Sequence, residues 1–221
     1  MGALAGPLTV SKLSVRGELP DDFRDTFIEH IQLRVFEPLT PDEDIEWRMG
    51  WCVVGSPLNL ELNHDNVFFN SYLNLGLRID KWQLPTTLLQ AQYEEALRER
   101  LEKSGKERLT KTEKDELKLR IALRLKKKLI PTMKFFDFVW NLDSGVAYFW
   151  SQSPKAVEML SVLFEQTFGL ELALHSPYLT ATELDLTKRE RKALDVVDPT
   201  PFHGAKKKLD LPEKRDAEAE D

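Results

Sequence analysis

Apolar positions recur along this chain with two periods, and the changes between them predict its elements. Residues 8–15, LTVSKLSV, read as a first strand. From Pro20 or Asp21 a helix follows, because Phe23, Phe27 and Ile31 recur at helical spacing and turn one stripe inward. Asp21 and Asp22 favour its N-terminus. The stretch EPLTPDED (37–44) reads as a solvated loop, and MGWCVVG (49–55) as a short buried strand ended by Gly55 and Pro57. From Asn66 to Gln83 the chain is rich in aromatic and β-forming residues. The near-alternation in LNLGLRID there predicts one long bent strand or a hairpin.

Helical spacing then returns. Pro85 suits the first position of a helix, where its missing N–H has no intrahelical partner, and this helix runs to about Lys103 before Ser104-Gly105. Thr110 and Glu113 have capping-box spacing, so a second helix starts there and runs to about Leu129, ended by Pro131. Two aromatic runs, FFDFVWNL and VAYFWS, flank Asp143-Ser144-Gly145 and predict a hairpin. Ser153 and Pro154 open a helix that Gly169 stops, LELALH (170–175) is a last strand, and Pro177 closes it. The expected fold class is α+β: antiparallel sheet with packed helices and a protruding basic helical hairpin over about 85–130. One domain spans residues 1–186. From Thr187 to the end, charge runs and prolines predict a disordered tail over 187–221.

Composition narrows the class. With 221 residues, 42% hydrophobic and 10% aromatic, the chain can bury one core. No run approaches the ~18 consecutive apolar residues of a membrane span. The start, MGALAGPLTVSKL, lacks a basic segment followed by a long apolar core, so no secretory signal is expected, and Gly6 and Pro7 argue against myristoylation at Gly2. The single cysteine, Cys52, excludes an intrachain disulfide and a thiolate metal site, which fits a soluble protein of a reducing compartment.

Charge changes the picture more. The net charge is -6, yet Arg98 to Lys134 holds 14 Lys/Arg against 6 Asp/Glu, a balance of +8. The rest of the chain therefore carries -14. At about 100° per residue, Arg120, Arg124 and Lys127 share one helix face with Lys128 at its edge, while Leu117, Ile121, Leu125 and Leu129 lie alongside. Lys111, Lys114, Lys118 and Lys126 widen the positive field. A charged helix face is ordinarily a solvated surface. After Glu116, however, six bases occur by Lys128 and no acid until Asp137, more than a helix dipole needs. Backbone phosphates explain that excess, since each neutralised phosphate releases counterions. No zinc-finger spacing or helix-turn-helix offers base readout. The alternative reading is an interaction module whose basic helix docks on an acidic protein.

Catalytic patterns are missing. The chain has no G-x-x-x-x-G-K, H-E-x-x-H or G-x-S-x-G. Its histidines, His30, His64, His175 and His203, are far apart in sequence, and Cys52 lies in an apolar run as an inert thiol would. The acids of DEDIE (42–46) lack the glycine and spaced final Glu of an oxygen-ligand loop. No enzyme activity, cofactor or metal is expected.

The same basic stretch resembles a family. LTKTEKDELK, a leucine-rich basic run and Leu129-Ile130-Pro131 are similar to the KKTEKDxLKDEV-like segment and Leu-Leu-Pro of the bacterial recombination-associated RdgC proteins. Met49-Gly50-Trp51, the exit Lys81-Trp82-Gln83-Leu84-Pro85, the turn Asn141-Leu142-Asp143-Ser144-Gly145 and the helix from Ser153 to Gly169 resemble that family's motifs in the same order. The likeness covers about residues 8–177, and TEKDEL is its most specific part. It implies a non-enzymatic, cytoplasmic and nucleoid-associated DNA-binding protein, homodimeric, that encircles or coats duplex DNA without sequence preference and restrains RecA-driven recombination. The positions carried over for phosphate contact are Lys111, Lys114, Lys118, Arg120, Arg124, Lys126, Lys127 and Lys128. Two features depart from the family: its members continue into another folded region where this chain becomes a charged tail, and Thr132-Met133-Lys134 stands where they have Arg-Ala-Phe.

Overall fold

A computed structural model describes residues 2–4, 9–43, 45–105, 107–182 and 184–197. The chain divides into two compact units, Met1–His175 and Ser176–Asp221. In chain order the first holds β1 (Ser11–Arg16), α1 (Phe23–Gln32), β2 (Trp47–Cys52), α2 (His64–Val67), β3 (Phe68–Phe69) and β4 (Tyr72–Lys81). It continues with α3 (Thr86–Ser104), α4 (Lys111–Lys126), β5 (Thr132–Asn141), β6 (Val146–Phe149), α5 (Pro154–Phe168) and β7 (Glu171–Leu174). The second contains α6 (Pro177–Thr182) and α7 (Lys188–Asp195). The fold is α+β, with helices packed on an antiparallel sheet.

The sheet runs β2-β4-β5-β6-β1-β7, every pair antiparallel, and β3 adds to β4. Strands β4 and β5 pair over their full length, from Tyr72 opposite Asn141 to Lys81 opposite Thr132. Because β4 leaves the sheet at Lys81 and β5 re-enters beside it at Thr132, everything between them is a hairpin inserted at one sheet end. That insertion is α3 and α4, which pack chiefly on each other.

Strand alternation gives β4 and β5 two buried faces. One carries Leu73, Leu75, Leu77, Phe138 and Trp140, packed with Phe27 and Ile31 of α1 and Leu160, Phe164 and Phe168 of α5. Aromatic rings dominate this core: Phe168 lies 4.7 Å from both Phe27 and Phe164, and Trp140 meets Phe164 edge-on at 5.4 Å. The other face buries polar groups. Arg78 forks onto Asp80 (Nε–Oδ1 3.0 Å, Nη2–Oδ2 2.7 Å), donates to the Pro57 carbonyl and lies 4.1 Å over the Phe36 ring. Asp137 accepts the Ala3 and Gly55 N–H groups there. On the same face Gly50 lets the Phe36 backbone approach, since a Cβ would sit 2.6 Å from Phe36 N.

The expected elements form with informative shifts. The first strand starts at Ser11, and Leu8 lies outside the described residues. Asn66 and Val67 are helical, because Asn63 and Asn66 cap each other (Asn63 N to Asn66 Oδ1 2.9 Å). The following stretch is a hairpin, β3–β4, turning at Asn70 in a left-handed conformation (φ 52). Pro85 is the residue before α3 rather than its first. The tail reading is corrected over part of its length. Lys188–Asp195 is a helix because Thr187 and Glu190 form a capping box (Thr187 N to Glu190 Oε2 2.8 Å), and Tyr178 Oη donates to Asp195 at 2.9 Å. The remainder of 187–221, from residue 198, lies outside the described residues.

Candidate nucleic-acid interface

Local chemistry sets the two hairpin helices before any packing. Helix α3 ends at Gly105, whose left-handed φ of 64 lets its N–H reach the Leu101 carbonyl at 3.0 Å. Helix α4 begins where the sequence predicts: Thr110 Oγ1 accepts the Glu113 N–H at 3.3 Å, and the Glu113 carboxylate accepts the Thr110 N–H at 2.8 Å. Along its 19 residues α3 buries none completely. Its half-buried positions, Leu89, Gln92, Tyr93, Ala96, Leu97 and Leu101, recur at helical spacing as a stripe. Helix α4 buries Ile121 and Leu125.

Between the helices lies an open cleft of about 340 Å³. Arg120, Arg124 and Lys128 line it from the α4 side, one turn apart, and Arg100 and Lys103 line it from α3. Glu95 and Glu99 are its carboxylates, so cations outnumber acids five to two. Lys103 meets Glu99 at 3.6 Å with both side chains well exposed. Such a pair contributes about 0–1 kcal/mol and leaves the lysine free to exchange partners. The cleft is therefore a positive concavity on an acidic protein, where focused field raises the local concentration of anions.

The eight expected contact residues divide into groups. Arg120, Arg124 and Lys128 are gathered in the cleft. Lys111 and Lys114 are exposed on the first turn of α4 and do not line it. Lys118 is exposed with its Nζ 5.3 Å from the Tyr93 ring centre, a cation–π contact to α3. Two depart from the expectation: Lys126 from the wider positive field and Lys127 from the strip itself. Lys126 is buried, 8% exposed, so it does not present its ammonium on the open face. Lys127 points to Asp42 of the 37–44 loop, Nζ–Oδ1 2.7 Å. Beyond Lys126 the helix closes with a tighter turn, Lys128 N bonded to Leu125 O at 2.9 Å and Leu129 N to Lys126 O at 3.3 Å. Lys128, four residues after Arg124 and eight after Arg120, continues their row into the cleft.

Sequence reasoning missed Arg100 and Lys103. Their three-residue spacing on α3 was visible, but their role depends on which face α3 turns to α4. Most of the other candidate groups have partners within the fold. The Cys52 thiol is fully buried, donates to the Gly76 carbonyl at 3.3 Å, and is pushed up to about 12, chiefly by burial. His30 donates from Nδ1 to the Thr167 carbonyl at 3.0 Å, and His64 pairs with Asp25 at 3.1 Å. His203 lies outside the described residues. Of the DEDIE acids, Asp42 is held by Lys127 and Glu43 by Arg48 at 2.8 Å. Among the described residues no three His, Cys, Asp or Glu side chains converge as metal ligands, and no helix is long and apolar enough to cross a membrane.

No protein-family model and no curated protein matches the chain.

Proposed function

We propose that this chain is a sequence-independent DNA-binding protein that grips backbone phosphates in the cleft between α3 and α4. The observation that carries the reading is the row Arg120, Arg124 and Lys128 facing Arg100 and Lys103 across that cleft, in a protein whose net charge is -6. Arginine suits the task because its planar fork meets two phosphate oxygens at once. The likeness of TEKDEL and its neighbouring motifs to the RdgC proteins extends this reading to a homodimer that coats or encircles duplex DNA in the bacterial nucleoid and restrains RecA-type recombination.

Five phosphate contacts correspond to a slope of about -4 to -5 in log affinity against log salt. Binding to mixed-sequence duplex should therefore weaken about twentyfold for each doubling of salt. The triple change Arg120→Glu, Arg124→Glu and Lys128→Glu should remove it while the circular dichroism spectrum stays native. Retained duplex affinity in that folded variant rejects the cleft as the interface. Binding to acidic polypeptide but not to DNA would instead identify the basic helix as a protein-docking element.

A further inference from the structure

A second cleft, of about 760 Å³, opens where the hairpin joins the sheet. Its position follows from strand register. Trp47, Lys81 and Thr132 lie side by side in the last row of β2, β4 and β5, and Met49, Ile79 and Lys134 form the row before it. The next row, Trp51, Leu77 and Phe136, belongs to or packs against the aromatic core. The outer two rows share the core-side face of the sheet, and the N-terminal half of α5 borders the space above them through Lys155, Ala156, Met159 and Val162.

The chemistry of this space is specific. Its apolar surface includes Met49, Ile79, Phe136 and Met159, and two exposed apolar side chains border it, Trp47 (44% exposed) and Val162 (43%). Lys81, Lys134 and Lys155 also line it. Among the described residues none of these lysines has a carboxylate within 4.0 Å, although Glu46 and Glu158 line the same cleft. Ser153, at the N-cap of α5, makes no side-chain capping bond and also lines the cleft.

We infer that this cleft takes an unpaired nucleotide of single-stranded DNA, with the base on Trp47 and the flanking phosphates on Lys81, Lys134 and Lys155. Both halves of the ligand are needed to account for the lining. Three unpaired ammonium groups match phosphates, and an exposed indole beside an apolar floor matches the flat face of a base. The volume falls within the ~300–1,000 Å³ range of small-ligand sites. A duplex cannot use it, because its bases are stacked on each other and their faces are closed. An apolar peptide side chain would leave the lysines without a role. The inference rests on the DNA-binding reading, and the cleft lies at the root from which α3 and α4 project.

The test compares a short labelled oligothymidylate with a mixed-sequence duplex by fluorescence anisotropy, using the full chain. In Trp47→Ala, oligothymidylate affinity should fall about tenfold, the scale of one lost base stack, while duplex affinity stays within about twofold. Val162→Trp, which fills the cleft from an exposed helix position, should act in the same way. Quenching of indole emission by oligothymidylate should disappear in Trp47→Phe. Unchanged oligothymidylate affinity in both cleft variants overturns the inference, as does an equal loss for duplex and single strand. The triple cleft-charge variant separates the two readings. If it keeps its duplex affinity while Trp47→Ala still loses the single strand, the α3–α4 interface fails and the nucleotide site stands.

Discussion

Lys127 Nζ lies 2.7 Å from Asp42 Oδ1, tying the last turn of α4 to the loop that precedes β2. The pair is solvent-exposed on both sides, so its stabilisation is small, about 0–1 kcal/mol. Its effect on charge is larger, because a lysine held by a carboxylate offers less to a phosphate. Asp42→Ala should raise duplex affinity a few-fold and steepen the salt slope by about 1. Lys127→Ala should weaken binding less than Arg124→Ala. Salt titrations of the three variants check this, and a Lys127→Ala effect larger than that of Arg124→Ala would contradict it.

Thr110 caps α4 through two reciprocal bonds with Glu113. Thr110→Ala should cost about 1 kcal/mol. Because α4 buries few residues, that cost should appear as faster amide exchange along Lys111–Lys126. Uniform loss of protection throughout the sheet would instead tie the cap to global stability.

The Arg78–Asp80 fork is buried, with relative exposures of 8% and 4%. Asp80→Ala leaves a buried guanidinium uncompensated and should cost about 3–5 kcal/mol, while Arg78→Met with Asp80→Leu should recover most of that loss. Urea unfolding of the single and double variants measures it. Equal destabilisation by both would show that the pair contributes more than mutual neutralisation.

Gly50 faces backbone rather than a flexible side chain, with Phe36 N 2.6 Å from an added Cβ. Gly50→Ala should therefore force the chain around Phe36 away from β2 and destabilise by about 1–3 kcal/mol. A neutral result in thermal unfolding would place the 34–36 segment among the adjustable parts of the molecule.

The folded chain holds the Cys52 proton more tightly than the unfolded chain, where the ordinary value is 9.0. Burial is the main cause; nearby Arg78 opposes it, and Asp137 and Asp80 add to it. This contribution is fully present below pH 9 and is lost as pH rises toward about 12. Unfolding free energy should thus fall more steeply with pH above 9 in the parent than in Cys52→Ala, by up to about 1.4 kcal/mol per pH unit. Parallel curves would exclude this group. In the native protein the thiol should resist aromatic disulfide reagents at neutral pH and react once urea is added.

Much of the fold was legible in short stretches. The Thr110–Glu113 box, the glycine stops at Gly105 and Gly169, the proline at the start of α5 and the β5–β6 hairpin all formed as their residues imply. Asn63–Asn66 and Thr187–Glu190 are boxes of the same kind; the first makes Asn66 and Val67 helical ahead of the β3–β4 hairpin, and the second starts the helix Lys188–Asp195 within the stretch expected to be a tail. The Arg78–Asp80 fork was less accessible, since LRID alternates like any half-exposed strand.

The amino-acid order by itself determined the caps, the breaks, the two amphipathic hairpin helices and the excess of positive charge between them, because those features depend on groups within about four residues of each other. Tertiary structure alone decided which cations lie together. It placed Arg100 and Lys103 opposite Arg120, Arg124 and Lys128, gave Lys127 to Asp42 and buried Lys126. Coulomb energy depends on separation in space and on the surrounding dielectric, and chain order specifies neither until the helices have packed.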